Sequence, residues 1–191
     1  MSPSAQPLSM RITRAVIIIF GLTVAAAPLY AVTGYSSVRN LISELGAQNT
    51  PHNYVMVIAF VAFGSGVAFD GLRSFDRALG PFVAFGVFMA AAGLFGHKPA
   101  AADVPYVPWV HAAHSVLATC AGVSITAAFV WQAIRQSAPV RRVVAAVLAI
   151  LCCVLPLAML ALPSVQGAIQ RLMYSLIFAW LWFYYPRSAR A

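Results

Sequence analysis

Charged residues are scarce in this chain. Of its 191 residues only 8% are charged, and Asp and Glu together number 4, whereas 62% are hydrophobic. A soluble domain carries roughly a quarter charged residues, so this chain cannot cover a water-exposed surface with polar groups. The composition therefore excludes a soluble globular protein and predicts that a lipid bilayer is the chain's main partner.

Cysteines are also few, and none lies in a connection between apolar runs. Their number is odd, and they form no CxxC pair: Cys120, Cys152 and Cys153. Neither a disulfide framework nor a cysteine metal motif can be formed on this pattern. The three are interpreted as small apolar packing residues.

The formal net charge of +8 raises the question of nucleic-acid binding. A nucleic-acid-binding protein concentrates its Lys and Arg residues on one soluble face. Here they lie between apolar runs, which argues against a nucleic-acid partner.

Six apolar runs are each close to the ~20 residues that a bilayer core requires. They are residues 15–33, 53–72, 79–96, 109–134, 143–162 and 168–185. The predicted fold is an all-α membrane protein, a six-transmembrane-helix bundle. Residues 1–14 form an N-terminal segment, 15–185 the transmembrane domain and 186–191 a tail. Small residues at 25–31 leave open a cleaved signal peptide, but the length of the first run favours a retained span.

The positions of Lys and Arg predict the orientation. Six spans place both termini on one side, and nine of the 12 Lys and Arg residues lie on that side. The other side has three: Arg39, Lys98 and Arg171. The positive-inside rule then places both termini in the cytoplasm. We expect a multi-pass protein of the cell membrane, the inner or plasma membrane.

The connection between the first two spans, residues 34–52, has a helical pattern of its own. Its apolar residues recur at helical spacing: Val38, Leu41, Ile42 and Leu45. This pattern predicts a short amphipathic helix that lies at the membrane interface after the first span.

All four histidines fall on the predicted extracytoplasmic side: His52, His97, His111 and His114. His111 and His114 are three residues apart, which places them on one face of a helix. They open the fourth span, where the helix N-terminus disfavours the charged imidazolium. Neutral imidazole is the form that binds a metal or acts as a base.

A zinc site is one interpretation of these histidines. His111 and His114 would be two ligands and His97 the third, with His52, Glu44 or Asp103 as alternatives. A zinc-bound water could then attack an ester or amide. In the other interpretation the histidines only hydrogen-bond across the helix ends and hold the face together.

Further polar residues on the same side are candidates for the rest of a site. Glu44 and Ser43 are the candidate catalytic residues, Glu44 as a base or ligand. Arg39, Gln170 and Arg171 are the candidate substrate-binding residues, and Arg171 could bind a lipid phosphate. Alternatively, Glu44 and the arginines pair with one another and have only a structural role.

The chain resembles a bacterial and archaeal membrane family known as domain of unknown function 998. The resemblance covers residues 15–185 and their order of spans. Three motifs carry it: YSSVRNLISELG at 35–46 followed by Pro51 and His52, His111-x-x-His114, and Gly167-x-x-Gln170-Arg171. The resemblance implies that these motifs lie together on the outer face.

One stretch departs from the family pattern. Members often have a Phe-Pro-x-Asp-Pro-like turn after the third span, whereas residues 95–99 here are FGHKP. An aspartate that would serve as ligand or base is missing, and His97 or Asp103 would have to replace it.

The expected function is a metal-dependent hydrolase or transferase that acts on a lipid-linked substrate. Two alternatives stay open. The chain could be a structural or accessory subunit, with membrane-protein partners or a second copy of itself. It could also be a small transporter, although few polar groups lie at mid-depth, where a transport path is expected.

Overall fold

The computed structural model describes residues 9–74, 76–101 and 103–185. In this part of the chain the regular structure is helical throughout. The α-helices are α1 Ser9–Ala25, α2 Asn53–Arg73, α3 Gly80–Leu94, α4 Pro108–Arg135, α5 Pro139–Ala161 and α6 Gln166–Phe183. Short 3₁₀ helices form at Ala27–Leu29, Ile42–Gly46 and Arg77–Leu79.

Four helical segments are long and apolar enough to cross a membrane: Asn53–Arg73, Arg77–Leu94, Pro108–Arg135 and Pro139–Ala161. The apolar part of α1, Ile12–Ala25, is shorter. These segments indicate a membrane protein, as the composition predicts.

The helices pack in chain order. Each contacts the next one along the chain, and α1 also contacts α6. The guanidinium of Arg14 donates hydrogen bonds of 2.9 and 3.2 Å to the carbonyl oxygen of Trp182. The start of α1 and the end of α6 therefore lie at the same end of the bundle.

Aromatic side chains from α6 fill the middle of the bundle. Tyr174 stacks on Phe20 of α1, with ring centroids 5.5 Å apart. Trp180 contacts Phe129 of α4 edge to face at 5.6 Å. Helices in lipid associate mainly through such van der Waals packing, because the lipid itself is apolar.

The first helix begins and ends earlier than predicted. It starts at Ser9, inside the segment 1–14. Thr13 attaches it to α2: the amide and hydroxyl of Thr13 donate to the Asp70 carboxylate at 2.8 and 2.5 Å. It ends at Ala25, and Pro28, which lacks a backbone N–H, lies in the 3₁₀ helix that follows. Residues 1–8 and the predicted tail 186–191 lie outside the described residues.

The amphipathic interfacial helix predicted after the first span does not form as expected. Leu41 is extended, with φ −66° and ψ 152°, and only the 3₁₀ helix Ile42–Gly46 follows it. Ile42 is 1% exposed, whereas Val38 is 51% exposed. The backbone amide of Ile42 donates to Oε1 of Gln170 in α6 at 2.6 Å, so this segment is inserted into the bundle.

Candidate functional site

Three histidine rings meet at one end of the bundle, which we call the histidine end. His97 lies in the connection between α3 and α4, and His111 and His114 lie near the start of α4. The centroid of the His97 ring is 4.5 Å from that of His111 and 5.3 Å from that of His114. Both contacts are edge to face. His52, by contrast, is exposed before α2.

Gln48 fixes the α3–α4 connection at this end. Its side-chain amide donates to the carbonyl of Gly96 at 2.9 Å, and its side-chain oxygen accepts from the amide of Val107 at 2.9 Å. Its own backbone amide donates to the carbonyl of His97 at 2.9 Å. Gln48 therefore positions the His97 backbone. The sequence does not predict this role, because a single glutamine in a polar connection belongs to no recognisable motif.

The hydrogen bonds of His97 and His114 determine their tautomers. Nδ1 of His97 is 2.8 Å from the carbonyl oxygen of Lys98. Nδ1 of His114 is 2.9 Å from the carbonyl oxygen of Ala92 and 2.8 Å from that of Phe95. A carbonyl only accepts, so each Nδ1 carries the proton and, in the neutral ring, each Nε2 has a free lone pair.

His111 has the opposite tautomer. Its Nδ1 accepts a hydrogen bond of 3.3 Å from the backbone amide of Lys98. A nitrogen that accepts carries no proton, so Nε2 holds the proton in the neutral ring. His111 thus presents a donor where its two neighbours present acceptors.

His97 is uncharged at neutral pH. Burial lowers the pKa of His97 to about 4, and the hydrogen bond to Lys98 opposes this shift only in part. The side chain is 9% exposed. Its Nε2 is therefore available as a base or hydrogen-bond acceptor throughout the neutral range.

A small cavity of about 150 Å³ lies beside these rings. The polar side chains that line it are Ser43, His97, His114, Ser115, Gln170 and Tyr174. Oε1 of Gln170 is bound to the amide of Ile42, which leaves the side-chain N–H groups of Gln170 as donors. The cavity thus has both acceptors and donors, and none of its described lining residues is Lys, Arg, Asp or Glu.

The charged candidates form a separate network next to this cavity. Arg171 donates to the carbonyls of Asn40 and Gly167, each at 3.0 Å, and to the hydroxyl of Tyr35 at 2.6 Å. The Asn40 side chain in turn donates to the Glu44 carboxylate at 2.6 Å. Arg171 therefore attaches the first connection to α6. Neither it nor Glu44 lines the cavity, and Arg39 is exposed in the same connection.

The predicted zinc ligands are neighbours, but they do not form a ligand shell. Within the described ranges no group of three or more His, Cys, Asp or Glu residues could hold a metal ion. The physical reason lies in the rings: they meet edge to face, and Nδ1 of His111 is turned toward the Lys98 amide. Only His97 and His114 share the cavity.

Glu44 should make stability depend on pH. Burial raises the pKa of Glu44 above its ordinary 4.5, and the hydrogen bond from Asn40 opposes this. The folded state then holds the proton to higher pH than the unfolded state, so folding stability falls as pH rises through the raised value. Glu44→Gln keeps the acceptor oxygen but cannot ionise. We expect it to melt above the wild type near pH 8 and to match it once pH falls below about 4.5. A melting difference that is unchanged across this range would contradict the assignment.

The fold and the site define a helical membrane protein with an uncharged polar cavity at one end of its bundle. The chain belongs to the family described as "Protein of unknown function (DUF998)", whose profile matches residues 13–184. No curated protein and no solved structure matches the chain.

Proposed function

We propose that the chain is a membrane enzyme, a hydrolase or transferase that acts on a lipid-linked substrate in the cavity at the histidine end. The observation that carries this proposal is that Ser43, His97 and His114 line one cavity. The Nε2 atoms of the two histidines are free to take a proton from a water or a hydroxyl group. Ser43 contributes a hydroxyl that either attacks the substrate or orients it.

We further propose that all six α-helices cross the membrane. The contact between α1 and α6, and the bond from Arg14 to Trp182, support an even number of crossings. The excess of Lys and Arg on the side of the termini then favours cytoplasmic termini and a cavity at the extracytoplasmic face of the cell membrane.

A zinc-dependent version of the same reaction has one observation in its favour. Metal-bound histidines usually donate their other ring N–H to a carbonyl or carboxylate, and His97 and His114 both donate to backbone carbonyls. With two protein ligands in the cavity, zinc would need further ligands from solvent or substrate. Base catalysis needs none, so we favour it.

The packing of the bundle argues against the transporter alternative. Phe63, Phe82 and Phe129 are each 0% exposed between the helices, and Phe63 lies in the middle of α2. A transport path needs polar groups and space at mid-depth. A purely structural subunit would use the hydrogen bonds from His114 to the end of α3, but it would not need a cavity beside the Nε2 atoms of His97 and His114.

The test uses substitutions that replace the imidazole ring with a side-chain amide. In His97→Asn and His114→Asn the side-chain amide keeps a donor near the position of Nδ1, whereas Nε2 is lost. We expect the wild type, reconstituted in vesicles of its host's lipid extract, to convert at least one lipid class, as measured by untargeted lipid mass spectrometry. Each variant should lower the rate roughly 100-fold, the typical contribution of a general base.

His52→Asn is the matched control. His52 is exposed and has a φ of 58°, a conformation that asparagine tolerates. This variant should keep full activity. If no lipid changes in the presence of the wild type, or if all three variants behave alike, the proposal fails.

Zinc analysis of the same preparations distinguishes the zinc-dependent reaction from base catalysis without a metal. Zinc that is bound by the wild type and lost in His114→Asn would favour the zinc-dependent reaction.

A further inference from the structure

A long groove runs along α4, α5 and α6. Its volume is about 740 Å³, and most of its lining side chains are apolar. Along α4 its lining extends from Ala118 to Trp131, about 20 Å at 1.5 Å per residue. Its rims are exposed: Val123 is 65% and Leu157 66% exposed. In a bilayer this groove is accessible from the side to hydrocarbon chains.

The groove adjoins the polar cavity. Ala118, Gln170 and Tyr174 line both spaces. Gln170 lies at the junction, and its oxygen is held by the Ile42 amide. A molecule with a polar head and a hydrocarbon chain can therefore place the head among the histidines and the chain along α4.

The chemistry of the cavity restricts the head. A buried phosphate requires a cation or several donors, and the described lining of the cavity contains neither Lys nor Arg. Two of its hydroxyl donors are already used, because Ser115 donates to the carbonyl of His111 and Tyr174 to the sulfur of Met89. The nearby guanidinium of Arg171 is bound to the first connection and to Tyr35. The Nε2 atoms of His97 and His114 accept, and the Gln170 amide donates, which matches a hydroxyl group.

The volume restricts the head further. The cavity measures about 150 Å³, whereas pockets for drug-sized ligands measure roughly 300–1,000 Å³. A glycerol-sized head fits this space better than a sugar chain.

We propose that the lipid bound here is uncharged and hydroxyl-bearing, with a small head in the cavity and a long hydrocarbon chain in the groove of α4, α5 and α6. This inference rests on the proposed function, because it takes the cavity as the place of the reacting group. A monoacylglycerol is a lipid of this class.

The experiment measures binding without turnover. Protein purified in a detergent is mixed with 1-oleoylglycerol or with oleoyl lysophosphatidic acid, which has the same chain and a phosphate on its head, and retained lipid is measured by native mass spectrometry. We expect at least about tenfold stronger retention of the uncharged lipid, a difference of about 1.4 kcal/mol.

A substitution that fills the groove tests the position of the chain. Gly122 lines the groove, and a Cβ there meets no atom within 4 Å, so the backbone leaves room for the larger side chain of Gly122→Phe. This variant should weaken retention of 1-oleoylglycerol by about tenfold or more, because it displaces buried methylene groups. Gly21→Phe is the matched control: its Cβ also meets open space, but it faces a separate groove that Arg171 lines.

The outcomes separate this inference from the proposed function. Stronger retention of the phosphate lipid, no retention of either lipid, or a loss in Gly21→Phe but not in Gly122→Phe would overturn the inference. Retention of 1-oleoylglycerol that Gly122→Phe abolishes, with no lipid converted in vesicles, would support the binding site and refute the enzyme. Lipid conversion together with equal retention by Gly122→Phe would refute the groove alone.

Discussion

Replacing Gly64 with leucine is expected to prevent α2 and α3 from packing. A Cβ at Gly64 would collide with backbone atoms of α3, the amide nitrogen of Ala90 and the carbonyl oxygen of Gly86. A Cβ at Gly86 would in turn collide with the backbone of α2 at Gly64 and Ala68. Because the atoms that obstruct a side chain at Gly64 belong to the backbone of α3, no change of rotamer relieves the clash and the helices must separate.

The effect should be large even for the smallest substitution. Overpacking costs about 1–3 kcal/mol where side chains can adjust, which lowers the melting temperature by roughly 2–12 °C in a chain of this size. We expect at least this loss for Gly64→Ala. Gly64→Leu should yield mostly aggregated protein, as measured by size-exclusion chromatography after detergent extraction.

A substitution at Gly122 is the control for the change in helix propensity that accompanies the replacement of glycine by leucine. It lies inside α4, and a Cβ there meets no atom within 4 Å. Gly122→Leu makes the same exchange of glycine for leucine in open space, so it should remain monodisperse. Wild-type melting behaviour in Gly64→Leu would show that α2 and α3 are not in backbone contact.

The helices between residues 53 and 162 follow from hydropathy, although α5 begins at Pro139, four residues before the predicted start at 143. Residues 53–72 were predicted as a span, and α2 is Asn53–Arg73. Pro108 and Pro139 each stand at the first position of a helix, where the missing N–H has no intrahelical partner. These helix boundaries depend on hydropathy and on the position of proline, and both can be taken from the sequence.

The first connection could not be predicted in this way, because long-range contacts shape it. The periodicity of Val38, Leu41 and Ile42 is that of an amphipathic helix. In the fold, the Ile42 amide donates to Gln170, and the carbonyl of Val38 accepts from the amide of Ala168 at 3.0 Å. Both partners lie more than a hundred residues away, and no local pattern indicates them.

Part of the candidate site could be predicted from the sequence, for a different reason. Polar groups are so scarce in this chain that His97, His111 and His114 stand out by type alone. Which ring nitrogen is free depends on the carbonyls of Ala92, Phe95 and Lys98, and this is a matter of tertiary geometry. Glu44 and Arg39 are predicted as site residues because they are charged. The described lining of the cavity is uncharged and includes neither of them.

Replacing Arg171 with methionine should cost at least as much stability as Gly64→Ala. Methionine keeps much of the side-chain volume but removes the donors to Asn40, Gly167 and Tyr35. Hydrogen bonds from a charged group contribute roughly 1.5–3 kcal/mol each, so losing several should lower the melting temperature by on the order of 10 °C. The released connection carries Ser43, so the cavity should also lose its shape.

Arg171→Lys distinguishes this anchoring role from a simple need for positive charge. An ammonium group cannot reproduce the planar fork of the guanidinium, so the lysine variant should recover little of the lost stability. Arg39→Met, in the same connection but at an exposed arginine, should melt like the wild type. If Arg171→Met instead keeps its melting temperature and loses only retention of an anionic lipid, Arg171 binds a lipid phosphate and does not anchor the first connection. Thermal melting and lipid retention of one preparation therefore decide between the two roles, because anchoring requires the stability loss whichever lipid is present.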